Sequence, residues 1–199
     1  MTNSYSSLIH NFIGEEIAAL NNVNEKSENE FDPIVDELLN IKGKLIFMGV
    51  GKSGLIGRKL AATFSSTGTP SFFVHATESV HGDLGMIEEN DTVILISNSG
   101  ETKEIIAPIK SLNTIGSKTI AFTGNPESTL AKLCDLTLTI HVNKEADKLN
   151  LAPTNSSTAV LVVGDAIACT LSELKGFSKD DFATFHPGGA LGKKLLSTK

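Results

Sequence analysis

A glycine-rich segment with one lysine is the first place in this sequence where residue types and spacing suggest chemistry. Residues 49–54 read GVGKSG and directly follow a short apolar run. Glycines let an anion approach the backbone, a helix beginning there favours negative charge, and Lys52 adds a full positive charge. The segment therefore predicts an anion site. The alternative is a tight turn from strand to helix with Lys52 facing solvent.

Two common nucleotide motifs fit this segment poorly. A Walker A loop requires a glycine at the position that Ile46 occupies. The dinucleotide fingerprint GxGxxG matches formally, but it also requires an acidic residue at the end of the second strand to hold a ribose. Here that strand ends in His75. An NAD-dependent oxidoreductase is therefore the weakest enzyme class for this chain.

A second loop of the same character follows a later apolar run and is called the hydroxyl loop, residues 97–102. It contains Ser97, Ser99, Gly100 and Thr102. Side-chain hydroxyls and backbone N–H groups in such a loop can surround a phosphate. Capping of the next helix by Ser99 or Thr102 is the simpler explanation, and it is compatible with phosphate binding. Two loops of this kind at neighbouring strand ends predict a phosphorylated small molecule as ligand.

Proton-transfer candidates lie near these loops and further along the chain. Glu104 follows the hydroxyl loop, Glu145 follows the fifth apolar run, and His186 precedes a Pro-Gly-Gly turn. Each of them, taken alone, is more often an ordinary solvated side chain. His75 and His81 flank a polar segment and are candidates for substrate contacts or opportunistic zinc contacts, but their spacing matches no closed metal site.

The elements that must position these residues follow from hydrophobic periodicity. Short apolar runs at 44–48, 71–75, 92–97, 118–123 and 136–141 predict strands, and the segments 55–66, 104–112, 128–133 and 156–175 have helical spacing. Strands alternating with helices indicate a parallel sheet covered on both faces. Two amphipathic segments, 6–20 and 31–41, precede this pattern, so we expect one α/β domain with a helical prefix. The polar segment 76–90 is predicted to be a functional loop.

Length and charge exclude several classes of protein. The chain has 199 residues and a formal net charge of −6, which argues against bulk binding to nucleic acid or to an anionic membrane. We see no signal peptide and no apolar run near the ~20 residues that span a bilayer. The two cysteines, Cys134 and Cys169, form no CxxC pair. We therefore expect a cytoplasmic protein without disulfides.

The motifs together resemble the arabinose 5-phosphate isomerase family of the sugar isomerase (SIS) domain superfamily. The resemblance covers about three-quarters of the chain, in the family's order and spacing. It is carried by the segments GVGKSG (49–54), RKLAATFSSTGTPSFFVHATE (58–78), HGDLGM (81–86), ISNSGET (96–102), LAPTNSSTA (151–159), GDAIA (164–168) and FHPGGALGKKLL (185–196).

The resemblance implies a fold, a reaction and an assembly. The fold is a flavodoxin-like three-layer α/β/α sandwich around a five-stranded parallel sheet. The reaction interconverts D-ribulose 5-phosphate and D-arabinose 5-phosphate without a cofactor, through a cis-enediol, and supplies synthesis of 3-deoxy-D-manno-octulosonate for lipopolysaccharide or capsule. The family is usually a homotetramer with sites at subunit interfaces, and a downstream octulosonate nucleotide would inhibit by occupying the active site.

The resemblance also assigns residues. By their surrounding motifs, the catalytic residues are Lys52, Glu104, Glu145 and His186, of which His186 is expected to come from a neighbouring subunit. The implied substrate contacts are Ser53, Gly68, Thr69, His75, His81, Ser97, Ser99 and Thr102. No metal is required.

The same resemblance predicts the domain organisation. We expect residues 1–42 to form helices that pack on the SIS domain or on a neighbouring subunit, and residues 43–199 to form the SIS isomerase domain. Many family members continue into a pair of cystathionine β-synthase (CBS) domains, and this sequence is expected to be a short form without them. Two alternatives remain open: a non-catalytic SIS module that senses a sugar phosphate, and an isomerase of another phosphosugar.

Overall fold

A computed structural model describes residues 4–26 and 30–189 of the chain. A five-stranded parallel sheet lies between two layers of helices, as the resemblance implied. The strands are β1 (Leu45–Gly49), β2 (Ser71–His75), β3 (Thr92–Ile96), β4 (Lys118–Thr123) and β5 (Leu136–Thr139). The helices are α1 (Tyr5–Lys26), α2 (Phe31–Leu39), α3 (Gly51–Ser66), α4 (Ala76–Ser79), α5 (Lys103–Ile106), α6 (Ile109–Ile115), α7 (Thr129–Leu133), α8 (Asn155–Leu174) and α9 (Lys179–Phe185).

The sheet order is β2-β1-β3-β4-β5, with every pair parallel. The chain leaves β1 in one direction to form β2 and returns on the other side to form β3. This reversal places a topological switch point at the carboxyl ends of β1 and β3, where ligands bind in open α/β sheets. The flavodoxin-like sandwich is therefore confirmed.

The central strands are apolar along their whole length because both of their faces are covered. On β1, Leu45 and Phe47 belong to the core under α3 and α8, while Ile46 and Met48 belong to the core under α5, α6 and α7. All four side chains are fully buried. Continuous burial explains why the strands appear in the sequence as unbroken apolar runs rather than alternating ones.

Two segments differ in detail from the predicted elements. The helix predicted over 104–112 is two helices, α5 and α6, because Pro108 has no backbone N–H to donate and a helix begins anew after it. The segment 76–90, predicted to be a loop, contains the short helix α4 and a 3₁₀ turn at Asp83–Met86. By contrast, α8 ends as predicted, with Gly176 in the left-handed conformation at φ +65°.

Helix α8 is the long core helix of this fold. Among the described residues it is long and apolar enough, by length and composition alone, to cross a membrane. However, nine of its residues are buried against the rest of the chain, which accounts for its apolar character. It packs closely on α3, because Leu60 lies directly over Gly164, where a Cβ would come within 2.5 Å of it.

The amino-terminal helices α1 and α2 both pack on α8. In α1, Val23 is buried and Leu20 packs against the core. Four more apolar residues of α1 are largely exposed and form what we call the α1 stripe: Ile9, Phe12, Ile13 and Ile17.

Candidate functional site

A cleft of about 500 Å³ opens at the carboxyl edge of the sheet, directly over the switch point between β1 and β3. Its walls are the start of α3, the hydroxyl loop, the segment after β5 and the start of α8. The lining residues are Val50, Lys52, Ser53, Ile56, Ile96, Ser97, Asn98, Ser99, Thr102, Val142, Asn143, Lys144, Glu145, Asn150, Leu151, Pro153, Ser156, Ser157 and Val160.

The glycine-rich segment forms the turn from β1 into α3 on one side of this cleft. Gly51 has a φ of +55°, and an added Cβ at Gly49 would lie 2.8 Å from the backbone nitrogen of Gly54. The turn therefore requires glycine for its conformation and for close approach. No side chain caps α3 at Val50, so its first N–H groups remain available to an anion beside Lys52.

The hydroxyl loop is shaped by its own hydrogen bonds. Ser97 is buried, its Oγ lies 3.0 Å from Oγ1 of Thr102, and it accepts a bond of 3.1 Å from the Gly100 N–H. Ser99 is exposed, and its Oγ accepts from the Glu101 N–H at 3.2 Å. Gly100 has a φ of +67°, which brings the chain back over β3. The structure thus brings three predicted phosphate contacts together: Ser97, Ser99 and Thr102.

Glu145 faces these loops from the opposite wall, where its carboxylate caps α8. Its Oε2 accepts from the backbone N–H groups of Thr154 at 2.8 Å and Ser156 at 3.1 Å, and its Oε1 accepts from the Ser156 hydroxyl. A carboxylate at a helix amino terminus is stabilised by the unpaired N–H groups and the helix dipole. Glu145 is therefore fixed in place at the rim of the cleft.

Glu104 lies at the same edge of the sheet but does not line the cleft. It is exposed on the first turn of α5, just beyond Thr102. His75 ends β2 at this edge too, and its buried Nδ1 has no hydrogen-bond partner within the described part of the chain. His81 is exposed after α4. Across residues 4–26 and 30–189, no group of three metal-ligating side chains occurs.

Gly68 and Thr69 lie at the other edge of the sheet, away from the cleft of their own chain. The sixteen residues of α3 carry the chain away from the cleft, and Pro70 accepts a hydrogen bond from the first residue of β1. Gly68 has a φ of +95° and lies against the ring of Phe177, and Thr69 is buried and accepts a bond of 2.7 Å from Lys175. Both residues therefore contribute to packing and hydrogen bonding at this amino edge.

His186 lies at this amino edge as well, because the twenty residues of α8, about 30 Å of helix, carry the chain away from the cleft. Its ring stacks on Phe182 with centroids 3.9 Å apart, and its Nδ1 lies 2.8 Å from the Phe182 carbonyl. The neighbouring Phe185 contacts Phe177, which covers Gly68. Gly68, Thr69 and His186 therefore lie at the same edge, which the chain does not bring to its own cleft.

Sequence reasoning missed most of the wall that follows β5. Asn143, Lys144, Asn150, Leu151 and Ser156 line the cleft without having been predicted. A signal was present, since polar residues after a predicted fifth strand must emerge at the same edge as the other strand ends.

Comparison with known proteins assigns the chain to a family. The SIS domain family matches residues 37–169. The chain belongs to the SIS domain family. Arabinose 5-phosphate isomerase KdsD of Escherichia coli K12 is 50% identical to this SIS protein over 188 residues, which are 92% of this chain and 57% of KdsD. KdsD of Pseudomonas aeruginosa is 49% identical over 184 residues, 92% of this chain and 56% of the relative.

One solved structure is matched by the SIS chain along the whole length of the solved chain. A protein of E. coli CFT073 in complex with arabinose 5-phosphate superposes with a TM-score of 0.90 and 54% sequence identity, covering 93% of this chain and 100% of that one. The SIS chain thus spans slightly more than half the length of the curated relatives and the whole of this solved one.

Proposed function

We propose that this chain is an aldose–ketose isomerase that interconverts D-ribulose 5-phosphate and D-arabinose 5-phosphate. The observation that carries the proposal is the cleft at the switch point, where Lys52 and the hydroxyl loop face Glu145. Support comes from the relatives that bear the name arabinose 5-phosphate isomerase and from the similar structure that holds arabinose 5-phosphate.

The hydroxyl loop and the start of α3 are proposed to hold the phosphate. Ser53, Ser97, Ser99 and Thr102 supply hydroxyls within one cleft, and Lys52 supplies positive charge beside the amino terminus of α3. Anchoring the phosphate fixes C1 and C2 of the sugar relative to the proton-transfer groups, which lowers the entropic part of the barrier. The positive charge of Lys52 can attract one phosphate to the cleft even though the whole chain carries a net charge of −6.

Isomerisation then requires the removal of a proton from one carbon and its return to the neighbouring carbon. A cis-enediol intermediate allows this transfer without a redox cofactor or a metal. Glu104 is proposed as the base, since it lies on the helical turn that follows the phosphate loop. Lys52 stabilises the phosphate or the enediolate, and Glu145 relays a proton between oxygens or orients His186. His75 and His81 are proposed as further polar contacts or opportunistic zinc contacts.

The site requires a second copy of the chain. His186 is proposed to open the sugar ring or to transfer protons, yet it lies at the amino edge, and α8, about 30 Å long, separates that edge from the cleft of its own chain. A neighbouring copy that brings its amino edge to this cleft would supply His186 together with Gly68 and Thr69. A homotetramer with shared sites meets this requirement. Residues 1–42 are proposed to pack on the SIS domain of residues 43–199 or, through the exposed α1 stripe, on a neighbouring subunit.

The biological setting is proposed from the same resemblance. The product supplies synthesis of 3-deoxy-D-manno-octulosonate in the cytoplasm, and a downstream octulosonate nucleotide inhibits by occupying the cleft. Neither nucleic acid nor a membrane is expected as a partner, given the acidic balance of the chain.

The direct test is incubation of the purified chain with D-ribulose 5-phosphate in deuterated water. We expect D-arabinose 5-phosphate as product, with deuterium incorporated at the carbon that receives the proton. Hexulose and heptulose phosphates tested in parallel should turn over more slowly. Binding of phosphosugars without any turnover would contradict the proposal and favour a sensor.

A further inference from the structure

The cleft-facing loop between β5 and α8, residues 140–154, is fixed from within by the Asp147 carboxylate. Oδ2 of Asp147 accepts from the Leu149 N–H at 2.9 Å, and Oδ1 accepts from the N–H groups of Leu151 at 3.0 Å and Ala152 at 2.9 Å. An ionised carboxylate offers only acceptors, and its hydrogen bonds are stronger than neutral ones. One side chain therefore closes the turn on three backbone groups.

Asn150 supplies the bend within this turn and connects it to Glu145. Among the described non-glycine residues it alone has a positive φ, +54°, a conformation that asparagine tolerates better than most residues. Its N–H donates to the Asp147 carbonyl at 3.0 Å, and its side-chain Oδ1 accepts from the Glu145 N–H at 2.6 Å. The bend at Asn150 thus determines where the backbone of Glu145 lies.

Hydrophobic burial does not hold the tip of this loop. Leu149 and Leu151 are 76% and 75% exposed. Order in a loop that buries little apolar surface depends on local hydrogen bonds. The shape of this cleft wall, to which both Asn150 and Leu151 contribute, is therefore set by Asp147 and Asn150.

We propose that Asp147 and Asn150 are positioning residues of the cleft, which fix the backbone from which Glu145 and Leu151 reach the ligand. The inference rests on the proposed function, because it takes the ligand to be the phosphosugar and Glu145 to act on it. Neither positioning residue is placed at the reacting atoms. Partial desolvation acts to raise the pKa of Asp147, but the N–H groups of Ala152, Leu151 and Leu149 outweigh it and hold the pKa below its ordinary value. The carboxylate is therefore ionised at neutral pH.

The first test removes the carboxylate. Asp147→Ala should lower kcat for D-ribulose 5-phosphate about tenfold, since small misplacements in a site reduce rates strongly, with a smaller change in KM. Hydrogen–deuterium exchange of the amides of Leu149, Leu151 and Ala152, read by mass spectrometry with fragmentation to single residues, should accelerate about tenfold. The matched control is Lys148→Ala, an exposed neighbour in the same loop, which should match the wild-type protein in both measurements.

A conservative variant separates positioning from general loosening. Asp147→Asn keeps Oδ1 but replaces Oδ2 with a donor that faces the Leu149 N–H. Exchange protection should therefore be lost at Leu149 and kept at Leu151 and Ala152, with kcat about threefold below wild type. Equal exchange at all three amides in Asp147→Ala and Asp147→Asn would contradict the assignment.

Variants of Asn150 test the second positioning residue. Asn150→Gly keeps access to the left-handed bend but loses the acceptor for the Glu145 N–H, whereas Asn150→Ala loses both. We expect kcat to fall a few-fold for the glycine variant and about tenfold for the alanine variant. Wild-type kcat in both variants would overturn the role of Asn150.

The exchange measurement keeps this inference distinct from the proposed function. If the wild-type chain does not isomerise D-ribulose 5-phosphate, the proposed function fails, and unchanged exchange in Asp147→Ala would still overturn the loop assignment. If the wild-type chain is active and Asp147→Ala loses activity with unchanged amide exchange, the effect does not act through the loop. The positioning role is then wrong while the proposed function stands.

Discussion

The two edges of the sheet use similar residue types for different purposes. At the carboxyl edge, Gly51 in the turn before α3 lies beside open space, because an added Cβ there would meet nothing within 4 Å. At the amino edge, Gly68 also has a positive φ, but the Phe177 ring fills the space beside it. The hydroxyl side chains of the two edges differ in the same way. Ser99 lines the cleft, whereas Thr69 is buried and accepts a hydrogen bond from Lys175. Within one chain, polar and glycine-rich segments therefore line a cleft at the carboxyl edge, whereas those of the amino edge would reach a ligand only in a neighbouring copy.

The largest expected effect comes from the base proposed at the carboxyl edge. Glu104→Gln should lower turnover about a thousandfold, because the amide cannot accept the substrate proton, while phosphosugar affinity stays near that of the wild-type protein. Exchange of solvent deuterium into the substrate, followed by NMR, measures the proton-transfer step directly.

The matched control is Glu127→Gln, which should keep wild-type turnover. Glu127 is an exposed glutamate after β4 at the same edge, where it pairs with the surface residue Lys132. Near-normal deuterium exchange in Glu104→Gln would disprove the assignment of the base.

The next effect tests whether the two edges join into one site between copies. Lys52→Ala removes a cleft residue and His186→Ala removes an amino-edge residue, and each should lower kcat about a hundredfold. When the two variants are unfolded together and refolded as a mixture, sites that combine an intact cleft with an intact His186 should restore about a quarter of wild-type activity, as random assembly of a symmetric oligomer implies.

The mixture distinguishes a shared site from a site within one chain. Activity in the mixture no higher than in the separate variants would contradict a site shared between copies. Size-exclusion chromatography of each variant verifies that assembly is intact.

A smaller effect is expected on stability, where alanine substitutions in the two glycine turns should differ in their cost. Gly68→Ala should lower the free energy of unfolding by about 2–3 kcal/mol, because the new Cβ combines a strained left-handed φ with overlap on Phe177. Gly51→Ala carries only the conformational strain and should cost about 1 kcal/mol. Urea denaturation measures both, and equal losses would contradict the difference between the turns.

The smallest effect is a pH dependence at the amino edge. Partial burial acts to raise the pKa of Asp135, but hydrogen bonds from the Thr119 N–H and hydroxyl, both 2.8 Å, and the charge of Lys118 outweigh it and hold the pKa below its ordinary value. A lowered pKa contributes stability that is present above the unfolded-state pKa and lost as the pH falls through the folded-state one.

Asp135→Asn should therefore remove part of the loss of stability below about pH 4, by no more than ~1 kcal/mol because the group is largely exposed. Thermal unfolding of both proteins between about pH 3 and pH 7 measures this difference. An unchanged acid dependence would show that the hydrogen bonds to Asp135 contribute no net stability.

Much of the fold could be predicted because strand burial is visible in the sequence. The apolar runs at β1, β3 and β4 are continuous since both faces are covered, and Gly176 indicates where α8 ends. The break at Pro108 was also visible in the residue type, but periodicity alone suggested one helix across it.

The site was predicted in part, where strand ends determine position. Ser97, Ser99 and Thr102 follow β3, so parallel topology alone places them at the cleft. Gly68 and Thr69 were assigned by resemblance, which does not say which edge a residue occupies. The sixteen residues of α3 indicate the opposite edge. The bonds of Asp147 to its own backbone have no periodic signal, so sequence patterns could not reveal them.

The packing of α1 on α8 has a consequence for the order in which the chain folds during synthesis. Helix α1 leaves the ribosome first, while its partner is made more than a hundred residues later. At about 5–20 residues per second, Val23 and its apolar neighbours wait on the order of 10 s before α8 exists to cover them. The first helix to be made is therefore among the last to dock, and for that interval it is the part of the nascent chain most in need of protection from aggregation.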